Sequence, residues 1–261
     1  MGEIIALGGG GFSMEESALL DLYILGQAKR QRPKVCFLPT ASGDAEEYIG
    51  RFYMAFSQLA CEPMHLSLFK TPPQDAASVL LDSEMIYVGG GNTRSMLALW
   101  REWGVDEILR QAYQQGSILA GISAGAICWF EQGLSDSVSQ ELAPIECLGF
   151  LQGSCSPHFD GEADRRPTYL HLLRSGKMLP GYGIDDGCAL HFIDSELRCA
   201  VASRPKAKAY RFSVRKGVID EQIVYGMVLE DGSKDDLDEP KDILEESSVY
   251  RDIFKKGCNK D

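Results

Sequence analysis

Short apolar runs alternate with longer amphipathic segments through the first two thirds of the chain. Glu3–Leu7, Lys34–Leu38, Met64–Phe69, Glu84–Val88 and Ser117–Gly121 have the length and apolar continuity of buried strands. Between them, Ser13–Arg30 places Leu19, Leu20, Leu22, Tyr23 and Ile24 where a helix would bury them. Asp44–Ala60 predicts a second helix, with Asp44 as N-cap and Glu47 as its capping-box partner. Thr93–Trp103 and Val105–Gln115 predict two more, separated at Gly104, and Ala124–Phe130 opens another. Strands alternating with helices of this length build βαβ units, hence an α/β fold with a mainly parallel sheet covered on both faces. Ligands of such sheets bind at the carboxyl ends of the strands.

After roughly residue 180 the pattern changes. Cys188–Ile193, Leu197–Ala202, Tyr210–Val214 and Ile223–Val228 are strands with short connections, expected as antiparallel additions to the sheet. The expected organisation is one catalytic domain over residues 1–229 and an acidic tail over 230–261. The tail, with Asp235, Asp236, Asp238, Glu239, Asp242, Glu245 and Glu246, reads as a solvated appendage with a short helix near Tyr250–Phe254. An arm of a homodimer is the other arrangement left open for it.

Composition narrows the function classes. Hydrophobic residues make up 44% of the 261 and charged residues 25%, a globular balance. The net charge of −12, with no basic stripe, argues against nucleic acid and against anionic membrane surfaces. No apolar stretch reaches the ~18 residues of a membrane span. Glu3 stands where a signal peptide wants basic residues, so a cytoplasmic location is expected. Eight cysteines contain no C-x-x-C pair and sit mostly in apolar runs, as small buried hydrophobes do.

The segment with the most chemistry is Gly121-Ile122-Ser123-Ala124-Gly125. It matches the G-x-S-x-G nucleophile elbow, with a strand before it and a helix after it. A serine on so sharp a turn needs small residues two before and two after, and the helix N-terminus then favours a developing negative charge. The Ala124 N–H is a natural oxyanion donor. Gly89-Gly90-Gly91-Asn92-Thr93 follows another strand; its glycines allow close backbone approach, Asn92 or Thr93 caps the next helix, and one of its amides is the expected second donor. Gly8–Gly11 lacks the pattern of a dinucleotide fingerprint or a P-loop and reads as a tight turn at the same sheet edge. Of the four histidines, His65 and His191 fall in strands and His171 in a helical run, whereas His158 lies in a loop bounded by Pro157 and Gly161. Its carboxylate partner is one of Asp136, Asp160, Asp164, Asp185 and Asp186, and spacing does not choose among them.

Gly89–Thr93, Gly121–Gly125, Pro157-His158-Phe159 and Gly183-Ile184-Asp185-Asp186-Gly187 stand in the order seen in the peptidase E and cyanophycinase family of serine peptidases, which the chain resembles over roughly residues 3–200. The resemblance implies a three-layer α/β/α sandwich related to class I glutamine amidotransferases. It implies Ser123 as nucleophile, His158 as base and Asp186 as third member, where the family usually has Glu. Asp185 is the reserve for that place. Gly90 and Ala124 are the expected oxyanion donors, and Asn92 and Arg165 the expected substrate contacts. Family substrates carry a carboxylate near the scissile bond, which a guanidinium matches bidentately; for Arg165 a helix-surface salt bridge is the structural alternative. The expected activity is hydrolysis of small peptides, such as dipeptides with N-terminal Asp, with no metal or cofactor. An esterase or amidase on another acyl group, and a non-catalytic binding protein on the same fold, are the rival readings.

Overall fold

The computed structural model describes residues 2–70, 75–139 and 141–230. The chain runs through β1 (Glu3–Leu7), α1 (Leu19–Gly26), β2 (Lys34–Leu38), α2 (Glu46–Phe56), β3 (Glu62–His65), α3 (Ala76–Asp82), β4 (Met85–Val88), α4 (Thr93–Trp103), α5 (Val105–Gln115), β5 (Ile118–Ile122) and α6 (Ala124–Ile127). It continues through β6 (Phe130–Ser135), β7 (Ala143–Glu146), β8 (Leu151–Ser156), α7 (Arg165–Arg174), β9 (Gly181–Ile184), β10 (Cys188–Ile193), β11 (Glu196–Ala202), β12 (Ala209–Arg215), β13 (Val218–Val224) and β14 (Gly226–Val228).

The main sheet has the order β14-β11-β10-β1-β5-β4-β2-β3. From β3 through β1 its neighbours are parallel, and β10 turns antiparallel against β1. Ile4 to Leu7 of β1 are fully buried, which accounts for an unbroken apolar run in a strand covered on both faces. Tyr23 and Ile24 of α1 and Phe52 and Phe56 of α2 pack on one face, against Ile5, Phe37 and Tyr87. Trp100 of α4 and Leu109 of α5 pack on the other, against Ile4, Cys36 and Leu119. Gly104, at φ 67, ends α4 and starts α5, the separation expected there.

A second sheet, in the order β13-β12-β9-β8-β6-β7, lies against the α4/α5 face of the first and is backed by α7. This corrects the expectation that all the late strands extend the main sheet. Cys188–Ile193 and Leu197–Ala202 do so, in β10 and β11. Tyr210–Val214 instead pairs with β9 and β13 of the second sheet. Ile223–Val228 is divided: its first part closes β13, and Gly226–Val228 runs parallel to β11. The break falls at Tyr225, which is 87% exposed.

Three expected boundaries also move. Only Leu19–Gly26 of Ser13–Arg30 is α-helical, after a short 3-10 turn at Gly11–Ser13. The helix after Ser123 ends at Ile127, and Phe130 already belongs to β6. Asp44 does not cap α2, which begins after Ala45 without a side-chain cap. Its carboxylate instead accepts the amides of Leu68 and Phe69, at 2.6 and 2.7 Å. Those amides are thereby turned away from strand pairing, and β3 stops at His65. The expected helix at Tyr250–Phe254, with nearly all of the tail, lies outside the described residues.

Candidate active site

The end of β1 organises the site. Consecutive carbonyls of Leu7, Gly8 and Gly9 accept the amides of Ser123 (3.2 Å), His158 (3.1 Å) and Gly187 (2.9 Å). Gly9 also bridges to Asp186. Three segments far apart in sequence are thus docked on three successive peptides of one strand end. A Cβ on Gly8 would run into the carbonyls of Ile184 and Asp185, and one on Gly9 into Asp186 Oδ1. The glycine cluster at 8–11 therefore exists to let the backbone approach the site closely.

Ser123 sits between β5 and α6 at φ 56 and ψ −113, a backbone that L residues rarely adopt. A Cβ on Gly121 would meet the Gly125 carbonyl, and one on Gly125 would meet the Val88 carbonyl. The small residues demanded by the elbow are therefore required by contact on both sides. Ala124 is the first residue of α6, so its amide has no carbonyl partner within the helix.

His158 also has positive φ, at 50°. It is held between Pro157 and Phe159, and Phe159 is buried among Tyr169, Phe212 and Leu172. His158 Nδ1 lies 2.6 Å from Asp186 Oδ1, with the side chains 13% and 20% exposed. An ionised carboxylate only accepts, so Nδ1 is the donor in this pair. Asp186 is itself held: its amide donates to Asp160 Oδ1 at 2.8 Å and its carbonyl accepts from Arg204 Nη2.

Asp185, one residue earlier, is turned the other way. Its carboxylate accepts the Lys208 amide and its amide donates to the Lys208 carbonyl, both at 2.9 Å. Burial pushes its carboxyl up to about 6, against the opposing pull of the Lys208 amide. Of the five candidate carboxylates, it is Asp186 that the fold brings to His158. The other histidines serve elsewhere. His65 Nδ1 pairs with the Tyr53 hydroxyl, and His191 is held by Tyr23 and Glu3. His171 is exposed on α7.

The glycine loop after β4 lies against Ser123, since a Cβ on Gly90 would sit 3.3 Å from Ser123 Cβ. The Gly90 amide, the expected second oxyanion donor, donates to the Tyr48 hydroxyl at 3.2 Å. The Gly89 amide donates to Leu38 and the Asn92 amide to Ala41. Among the described residues, the Gly91 amide is the one in this loop without a protein acceptor. Asn92 Oδ1 accepts the Ser95 amide at 2.8 Å and so caps α4. Tyr48 carried no sequence signal beyond its place in an amphipathic helix.

Arg165 is 5% exposed. Its Nε donates to Glu162 at 2.6 Å and its Nη1 to the Leu134 carbonyl at 2.9 Å. The structure thus places the expected substrate cation inside the fold, stitching β6 to the turn after His158. Arg166 is likewise engaged, with Glu221 and over the rings of Phe159 and Tyr210. A cleft of ≈ 530 Å³ beside the His158 loop is lined by Asp136, Glu141, Leu142, Glu162, Asp164 and Thr168, among others, and by no basic residue. Among the described residues, no group of His, Cys, Asp and Glu is arranged to hold a metal ion, and no helix is long and apolar enough to cross a membrane.

Comparison with known proteins places this site in a family. The sequence model of peptidase family S51 matches residues 4–200, from β1 through most of β11, and so spans Ser123, His158, Asp186 and the glycine loops around them. The chain belongs to peptidase family S51. That membership makes this S51 chain a serine peptidase. It is 57% identical over 222 residues to the uncharacterized peptidase YgaJ of Bacillus subtilis, covering 85% of this chain and 96% of that one. It is 27% identical over 158 residues to peptidase E of Shewanella amazonensis, covering 56% of this chain and 65% of that one. Among solved structures, a peptidase from an acI-B1 Actinobacterium superposes with a TM-score of 0.61 at 21% identity, covering 87% of this chain and 95% of the other. A putative peptidase E from Listeria monocytogenes superposes with a TM-score of 0.58 at 19% identity, covering 76% and 96%. At those identities the likeness is one of fold.

Proposed function

We propose that this S51 peptidase hydrolyses small peptides by acyl transfer through Ser123, His158 and Asp186. The observation that carries the reading is the docking of Ser123, His158 and the Asp186-Gly187 turn on the consecutive carbonyls of Leu7, Gly8 and Gly9. In the proposed reaction, Ser123 Oγ attacks the scissile carbonyl while His158 Nε2 takes its proton. Asp186 holds the Nδ1–H tautomer and stabilises the imidazolium that forms. The tetrahedral oxyanion receives the Ala124 amide and, because the Gly90 amide is engaged with Tyr48, the Gly91 amide. Collapse expels the amine, which takes the proton from His158. Water deprotonated by the same ring then hydrolyses the acyl-enzyme.

Selectivity for N-terminal Asp is not favoured by the surroundings, since Arg165 is spent on Glu162 and Leu134 and the neighbouring cleft is lined by carboxylates. Asn92, with its Oδ1 on the Ser95 amide, keeps only its amide nitrogen for a substrate. A cytoplasmic setting is supported by Cys36, Cys61, Cys128, Cys147, Cys155 and Cys188, which are thiols in the fold. The test is turnover of a dipeptide panel with acidic, neutral and basic N-terminal residues, alongside a p-nitrophenyl ester, by wild type and Ser123→Ala. Peptide turnover abolished in Ser123→Ala supports the reading. Turnover of the ester alone transfers the activity to an esterase, and turnover of neither overturns the hydrolase reading.

A further inference from the structure

We infer that Tyr48 is a positioning residue of the acyl-transfer site, whose hydroxyl orients the peptide that presents the Gly91 amide to the oxyanion. The inference rests on the acyl-transfer reading above. Tyr48 lies in the first turn of α2, 7% exposed, on the face of the sheet opposite α4 and α5. Its ring is fixed on several sides. Phe37 packs edge-on at 5.2 Å, Phe12 stacks at 5.6 Å, and the Arg51 guanidinium lies 5.1 Å from the ring centre. The hydroxyl is thus delivered at a defined point, where it accepts the Gly90 amide at 3.2 Å.

The geometry of the loop shows what that bond controls. A Cβ on Gly89 would come within 2.8 Å of Tyr48 Cε1, and one on Gly90 within 3.3 Å of Ser123 Cβ. The loop is therefore one peptide thick between the tyrosine ring and the nucleophile. Its Gly89–Gly90 peptide is anchored through the Gly90 amide on Tyr48, and its Gly91–Asn92 peptide through the Asn92 amide on the Ala41 carbonyl at 2.7 Å. Between them stands the Gly90–Gly91 peptide, whose amide has no protein acceptor among the described residues. Two adjoining glycines offer little intrinsic resistance to rotation of the peptide between them. Anchoring both neighbouring planes is what holds that N–H in one direction, as an oxyanion donor that needs no reorganisation during the reaction. The hydroxyl is the one side-chain group among the described residues that accepts an amide of Gly89, Gly90, Gly91 or Asn92.

The test is Tyr48→Phe, which keeps the ring and removes the acceptor. The probe is an alkyl fluorophosphonate, whose phosphoryl oxygen enters the oxyanion position as Ser123 is modified. Phe52→Leu, which loosens the same aromatic cluster without touching the hydroxyl, is the packing control. All measurements are made below the melting transitions of the three proteins. The expected result is wild-type labelling at Ser123, with the maximal rate reduced about 10- to 100-fold in Tyr48→Phe, below the 10²–10³ of losing a donor outright. The half-saturating probe concentration stays the same, and hydrogen exchange across residues 89–92 rises in Tyr48→Phe but not in Phe52→Leu. Labelling of Tyr48→Phe at the wild-type rate, unchanged exchange, or an equal slowing in Phe52→Leu overturns the assignment while leaving the acyl-transfer reading intact. A wild type not labelled at Ser123 overturns both.

Discussion

Asp21 offers a quantitative test of the packing beside the site. It lies in α1, fully buried, with its Oδ1 and the Tyr87 hydroxyl both close to Gly11. The Phe12 amide and the Tyr87 hydroxyl are near enough to offset some of the cost of burial. Neither carboxyl oxygen nor that hydroxyl reaches hydrogen-bond geometry. Burial, with the nearby Glu15 carboxylate adding to it, raises the Asp21 carboxyl from 3.8 to about 7. The folded state therefore holds the proton more tightly than the unfolded chain. The protein keeps the full benefit below pH 3.8 and loses it progressively as pH rises to about 7. A gap of about three pH units at 1.36 kcal/mol each is worth ~4 kcal/mol. Asp21→Asn removes the titration and keeps the shape. Urea unfolding at intervals from pH 4 to pH 8 checks the difference between wild type and variant. Wild type should lose ~4 kcal/mol relative to Asp21→Asn across that range, which for a domain of this size is a difference in Tm of ~10 °C. Parallel stability curves for the two proteins from pH 4 to pH 8 would refute the reasoning and imply that the carboxylate is solvated or paired.

Three further outcomes are expected. Asp186→Asn should leave the fold intact and lower kcat ~10⁴-fold by failing to hold the working tautomer; retention of activity within tenfold would remove Asp186 from the mechanism. Gly9→Ala should fold, yet lose ~10²-fold or more in kcat, because the added methyl displaces Asp186 Oδ1 and crowds His158 Nδ1; wild-type kinetics would show that the strand end does not set the geometry of the pair. Arg165→Ala should lower stability by ~1–3 kcal/mol through the unsatisfied Leu134 carbonyl, without changing KM for Asp-bearing relative to neutral peptides; a selective rise in KM for acidic peptides would instead establish Arg165 as a substrate contact.

What the sequence determined by itself is whatever lies within one contiguous stretch. The turn at Ser123 is five residues whose small flanks are demanded by close backbone contact, so the local pattern and the local structure coincide. β1, β2 and β4 are short apolar runs buried on both faces, and their length and the glycines or proline that bound them mark them as strands. α4 and α5 end where Gly104 and Gly116 adopt positive φ. The ordered motifs of the resemblance reach further, to His158 and Asp186, but they could not say which of two adjacent aspartates faces the ring. That is decided by register. Ala209 pairs with Ile184, so the next residue, Asp185, is drawn into the pairing with Lys208, and Asp186 is released toward His158. Tertiary structure alone decided the second sheet. Its strands β6 and β8 carry Gly133, Gly153 and polar residues in place of an unbroken apolar run, and they are direct neighbours although β7, at the edge of the sheet, lies between them in sequence. It alone decided that Arg165 is interior, because a guanidinium finds its carbonyl and carboxylate only once Leu134 and Glu162 are folded around it. It alone also gave Gly8 and Gly9 their purpose. A glycine records that something passes close to the backbone, and only the folded chain shows that Asp186 and His158 are what pass close to Gly9.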